Sequence, residues 1–220
     1  MMTGVPPSAG RWISVEAERV EGWLSRFAAR HGATTWTVGD AVVTVTAEDG
    51  AVAECRVPFP PLVAEPDTAY AGIVAHTVRD RRVGVLLVRL GGHAAGVFEG
   101  TRLVASKVGS RQVHGRSAAG GWSQQRFARR REGQVKVANA AAADVAARVL
   151  VPVAGSLDAV VLGGDRRSVE AVLADPRLAA LRPLVVEPLL DVPDPRLKVL
   201  TATPAMFRAV RIKVTEPGPD

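Results

Sequence analysis

The feature that most constrains the fold is a long helical stretch, opening at Trp122 or Ser123 and reaching about Leu150. It stands between three strand-like runs and a fourth. The runs before it, 83–90, 94–99 and 102–108, are joined by Gly91-Gly92 and Gly100-Thr101, pairs that suit turns. In the second half of the helix Val135, Ala138, Ala142, Val145 and Val149 recur at helical spacing, so this face is predicted to pack on a sheet. Its first half is basic and polar and is predicted to project from the body. Pro152 ends it. A buried-type strand at 157–162, a helix at 166–174, a strand at 182–186 and a loop at 188–195 are expected to follow, with a last strand within 205–214. This order implies an α/β domain, a mixed sheet flanked by helices.

The segment before it reads differently. Residues 15–31 carry Val15, Val20, Trp23, Leu24 and Phe27 at helical spacing, with Ser14 as candidate N-cap, Glu16 and Glu18 in the first turn, and Gly32 as a stop. Strands at 34–38, 41–47 and 51–57 should follow, turned by Gly39-Asp40 and Asp49-Gly50. Trp12, Trp23 and Trp36 are expected to fill the core of this module, and Cys55 to be structural. Pro58-Phe-Pro-Pro61 punctuates the chain, and a helix is expected within 64–79 despite Pro66. The expected organisation is a small α+β module over 1–79 and the α/β domain over 80–220.

Composition narrows the function classes. With 47% hydrophobic and 23% charged residues the chain can build a packed core. The single cysteine excludes an internal disulfide framework and a cysteine-rich zinc site. The apolar runs are too short to cross a bilayer, and the N-terminus lacks the pattern of a signal peptide, so a cytoplasmic protein with no membrane partner is expected. The net charge of +6 is local. Residues 101–136 hold nine basic residues and one acid, Glu132, while the rest of the chain holds 19 basic and 21 acidic residues. A cluster without accompanying acids points to a polyanion, and nucleic acid is the commonest.

Familiar enzyme motifs are missing. There is no P-loop. Gly91-Gly92-His93-Ala94-Ala95-Gly96 has the wrong glycine spacing for a dinucleotide loop. Gly121-Trp122-Ser123-Gln124-Gln125 lacks the closing glycine of a nucleophile elbow. His31, His76, His93 and His114 show no paired-ligand spacing, so neither a metal nor a cofactor is expected.

The informative segment is the glycine-rich loop at 109–125 and the start of the helix behind it. His114-Gly115-Arg116, Gly120-Gly121, Ser123 and Arg126-Phe127-Ala128-Arg129 stand there in order. This resembles the central domain of archaeal and eukaryotic class-I release factors, in which a histidine-glycine-arginine lead enters a Gly-Gly-Gln loop followed by a serine and an Arg-Phe-Ala-Arg helix. The resemblance runs over about residues 82–200. It departs at Trp122, which stands where the glutamine is expected, with glutamines at 124 and 125 instead. A shifted glutamine is similar to the Vms-type release-factor-like hydrolases of ribosome quality control, including their actinobacterial branch.

The resemblance implies a ribonuclease-H-like catalytic domain. It also implies a peptidyl-tRNA hydrolase that frees nascent peptide on the large ribosomal subunit in rescue or quality control, without a cofactor. Gln124 is then the first candidate for positioning water and Gln125 the second, with Gly120, Gly121 and Ser123 shaping the loop. Arg116, Arg126, Arg129, Arg130, Arg131 and Lys136 would contact rRNA or tRNA phosphates. Trp122 would either stack on a base or anchor the loop, His114 would brace it, and Phe127 would pack. Such a loop needs no ionisable nucleophile, because a positioned amide can orient water and a backbone N–H can stabilise an oxyanion. Two rivals remain from sequence: a non-catalytic rRNA or tRNA binder, and a nuclease, which needs a Mg²⁺-holding carboxylate cluster. The loop is expected to be mobile, given its glycine and serine content.

Overall fold

The computed structural model describes residues 10–65, 67–89, 91–111 and 123–217, and of 123–130 only the helical backbone. The chain forms two compact units, one of residues 1–79 with 205–220, the other of 80–204.

In the first unit, β1 (Arg11–Val15) leads through a short 3-10 turn into α1 (Val20–His31). Then come β2 (Thr34–Val38), β3 (Val42–Ala47), β4 (Val52–Arg56) and the short α2 (Ile73–Val78). The chain's last strand, β10 (Val210–Thr215), returns to this unit and lies between β1 and β4. The antiparallel sheet has the order β1-β10-β4-β3-β2. Strict alternation builds its covered face: Val43, Val45, Ala53, Cys55, Val210 and Ile212 are fully buried with Val20 and Leu24 of α1. Burial pushes the Cys55 thiol up to about 12, so it stays protonated, as a structural cysteine would. Gly32 ends α1 with φ +88, its N–H donating to the Ala28 carbonyl.

Three expectations change here. The 80–220 domain is shorter, because 205–220 belongs to the first unit. The helix expected from Val15 starts at Val20, and Ser14 is no cap: it lies in β1 opposite Arg211. The partner of β1 comes from the far end of the chain, which local periodicity cannot show. Finally, Trp23 packs partly buried on the core and stacks on Phe27, but Trp12 and Trp36 are 44% and 39% exposed. Trp12 is on the open face of the sheet, and Trp36 is on the edge strand against Tyr70.

The second unit runs β5 (Arg82–Arg89), β6 (Gly92–Glu99), β7 (Arg102–Ser110), α3 (Ser123–Val149), β8 (Ala159–Gly164), α4 (Arg166–Leu173), β9 (Val185–Leu190) and α5 (Leu197–Ala202). Its sheet has the order β7-β6-β5-β8-β9. β6 is antiparallel to both neighbours, and β5, β8 and β9 are parallel. This is the expected mixed sheet flanked by helices. Both faces of β5 are covered, so Val83 to Val88 are buried without a break.

α3 packs on β6 and β7 through Ala138, Ala142, Ala143, Ala146 and, just past its end, Leu150. The stripe is therefore rotated from the expected one. Small alanines let the helix axis approach the sheet, and Val135, Val145 and Val149 flank the seam half-buried. β9 also differs, covering 185–190 and so running through Pro188, where the sequence predicts a loop. Pro188 is tolerated because β9 is the sheet's edge, where one side needs no donors.

Candidate functional site

The ends of β5, β7 and β8 and the start of β6 share one edge of the second sheet, since β5, β7 and β8 run the same way. The glycine-rich segment leaves from this edge, between β7 and α3. It begins later than expected: Gly109 and Ser110 are still paired in β7, opposite His93 and Gly92, and the Arg111 N–H donates to the Gly91 carbonyl at 2.9 Å. At its other end α3 opens at Ser123, so Ser123, Gln124 and Gln125 belong to the first turn of the helix.

Of the candidate residues, Arg116, Gly120, Gly121 and Trp122 lie outside the described residues, as do His114 and the expectation of a mobile loop. Ser123, Gln124, Gln125, Arg126, Arg129 and Arg130 are placed on α3 by their backbone alone, and Phe127 with them. Arg131 is half-buried, with its Nε buried and without a hydrogen-bond partner. Lys136 is exposed further along the helix.

The root of the segment holds a residue that sequence reasoning passed over. His93 is 4% exposed, and its Nδ1 is buried without a hydrogen-bond partner. Its ring lies over Gly109: a Cβ there would come within 2.5 Å of Nε2. Burial holds the His93 pKa below the usual imidazole range; the Gly91 carbonyl opposes this, and the Arg111 charge adds to it. The ring fills the space that Gly109 leaves.

The neighbouring strand ends are fixed by carboxylates. Gly164 has φ +103, and a Cβ there would meet the Val88 carbonyl oxygen at 2.2 Å. The next residue, Asp165, donates its N–H to that same carbonyl and caps α4 by accepting from the Ser168 N–H at 2.9 Å. Its contact with Ser168 holds the carboxyl below the ordinary range, and Arg167 and Arg89 help. Arg89 Nη1 donates to Asp191 at 3.0 Å and to the Val192 carbonyl at 2.7 Å. Asp194 pairs with Arg196 at 3.3 Å. The acids of this edge are thus engaged separately. Among the described residues no three His, Cys, Asp or Glu side chains gather as a metal site. Nor is any described helix long and apolar enough to cross a membrane.

Comparison with known proteins adds to this geometry. No curated protein matches the chain. Among solved structures, the archaeal translation termination factor aRF1 is similar at 13% identity and TM-score 0.39, covering 93% of this chain and 68% of that one. S. cerevisiae Dom34, a translation termination-like factor involved in RNA quality control pathways and interacting with Hbs1, is similar at 6% identity and TM-score 0.34, covering 94% and 69%. The family model described as the Actinobacteria/chloroflexi VLRF1 release factor matches residues 81–213, well over half of the chain and the whole of the second sheet, loop and long helix. The chain belongs to the VLRF1 release-factor family of actinobacteria and chloroflexi.

Proposed function

We propose that this release-factor-like, ribosome-associated translation factor is a peptidyl-tRNA hydrolase. It would cleave the ester between nascent peptide and tRNA on the large ribosomal subunit, in the rescue or quality control of stalled chains. The observation that carries this reading is the segment from His114 to Arg131, which lies entirely within the family match. In this mechanism the glycine-rich segment brings the first turn of α3 to the ester. The N–H groups of that turn, which have no acceptor within the helix, favour the developing oxyanion, and a glutamine amide orients the attacking water. Positions 124 and 125 are about 100° apart around the helix axis, so one of them serves the ester and the other does not. Gln124 is the first candidate and Gln125 the second. Arg116, Trp122, Arg126, Arg129, Arg130, Arg131 and Lys136 hold rRNA or tRNA, and binding weakens steeply with salt.

Trp122 favours a second reading, a ribosome-bound rRNA or tRNA binder without activity, because it occupies the place where the resemblance expects the glutamine. Release of labelled peptide from peptidyl-tRNA on purified large subunits separates the two. Wild type should release peptide. Replacing the working glutamine by Ala should slow release about 100-fold or more and leave ribosome binding within about twofold. Salt-sensitive binding with no release by the wild type would establish the binder instead.

A further inference from the structure

The first sheet carries a surface that the loop chemistry does not use. α1 covers one face. The other presents Trp12 from β1, Arg211 and Lys213 from β10, Glu54 and Arg56 from β4, and threonines from β2 and β3. Thr35 and Thr37 of β2 stand directly opposite Thr46 and Thr44 of β3, a row of hydroxyls on the same face.

Two features set this face apart from an ordinary solvated one. Arg211 and Arg56 are direct cross-strand partners, and like charges so placed repel. Among the described residues no ion pair joins either to a carboxylate; Glu54 is taken by Lys213 at 3.8 Å. The Arg56 and Arg211 guanidiniums instead lie against the Trp12 ring, at 5.8 and 5.2 Å from its centroid respectively, and that ring is 44% exposed. Two unneutralised cations beside an exposed indole, edged by hydroxyls, match a nucleic-acid strand. The guanidiniums suit phosphates, the indole suits a base, and the threonines suit phosphate and ribose oxygens. A protein partner would have to bring its own paired acids to the same two arginines and leave the indole without a base to stack on.

We propose that the open face of the first sheet is an RNA-binding surface, with Trp12 stacking on an unpaired base and Arg56 and Arg211 holding the adjoining phosphates. β1 to β4 lie outside residues 81–213, so this surface lies mostly beyond the family match. It stands whether or not the loop cleaves an ester.

The test is the affinity of the full chain for a labelled 12-nucleotide oligouridylate across a salt series. It is made in a background with Arg126, Arg129, Arg130 and Arg131 changed to Gln, so that the helix does not mask the sheet. All three sheet residues are exposed, and an unchanged melting midpoint confirms that each variant folds. Trp12→Ala should weaken binding about tenfold, and Trp12→Phe should keep it within about threefold, since stacking needs only a ring. The pair Arg56→Gln and Arg211→Gln should weaken it about tenfold or more. That pair should also flatten the slope of log affinity against log salt by about 1.4, two phosphate contacts on a single strand. A background protein that does not bind the oligonucleotide overturns the proposal. So do sheet variants that bind as the background does, including the case where they lose only affinity for ribosomal proteins.

Discussion

The two five-stranded sheets of this chain offer their surroundings different parts of themselves. The first is antiparallel and covered on one face, so β3 alternates buried Val43 and Val45 with outward Thr44 and Thr46. In the second, the central strands are covered on both faces, and β5 is buried from Val83 to Val88. A sheet with a free face can present side chains across its strands. Strands covered on both faces can present only their ends and the segments leaving them. The difference explains why the basic glycine-rich segment belongs to an edge of the second sheet, while the exposed Trp12 with Arg56 and Arg211 belongs to a face of the first.

The largest effects should come from the residues that make each sheet possible. In the second, Gly164→Val puts a branched side chain at φ +103 with its Cβ 2.2 Å from the Val88 carbonyl oxygen. We expect a loss of about 3 kcal/mol or more, read as lost hydrogen-exchange protection in β5 and β8. Protection lost equally from β3 and β4 would show the two sheets unfolding as one and break the comparison. In the first, Leu24→Ala removes a side chain 1% exposed beneath the sheet. It should cost about 3 kcal/mol, read at the amides of β3 and β4.

A smaller effect tests the root of the glycine-rich segment. Gly109→Ala drives a methyl against the His93 ring and should cost about 1–3 kcal/mol. If the ring is the cause, His93→Ala in the same chain should recover most of that loss in a double-mutant cycle. Equal costs of Gly109→Ala with and without His93 would assign the strain to the backbone instead.

This pair also shows where the sequence stops being readable. The continuous apolar run of β5, the helical spacing of Val20, Leu24 and Phe27, and the basic segment from His114 onward are all local patterns. Residues only a few positions apart carry them, so they can be read without a fold. The His93–Gly109 contact is not of that kind. Counting back from the turn at Gly100-Thr101, as the pairs Glu99–Arg102 and Phe98–Leu103 do, would set His93 opposite Val108. An irregularity after Val97 pairs that residue with Ala105 and moves every later partner by one, so that Gly109 meets the ring. β1 was hidden for a related reason, since its partner enters from residues 210–215. Of the alanine seam of α3, Ala138 and Ala142 are legible in the spacing, but Ala143 and Ala146 are not, because hydropathy favours Val145 and Val149 whereas close approach to a sheet favours the smaller side chain.

The smallest effect compares one carboxylate in each unit. Asp165 caps α4 through the Ser168 N–H, and Asp49 accepts from the Ala51 N–H at 2.9 Å and faces His31 Nδ1 at 2.8 Å. Both carboxyls are held below their ordinary 3.8, Asp165 by its contact with Ser168 and Asp49 first by the Ala51 N–H and then by His31. A carboxyl whose folded pKa is depressed stabilises the fold above its unfolded pKa, and that contribution fades as pH falls through the folded value. Each unit should therefore weaken as the pH drops below about 4. Asp165→Ala should cost about 1 kcal/mol at neutral pH through the lost cap, seen as faster exchange at the first amides of α4. Asp165→Asn keeps a capping oxygen, so it should cost less at neutral pH, and its difference from wild type should close as the wild-type carboxyl protonates. An Asn variant that falls further behind as the medium turns acid would show that the Asp165 charge is not what the cap uses.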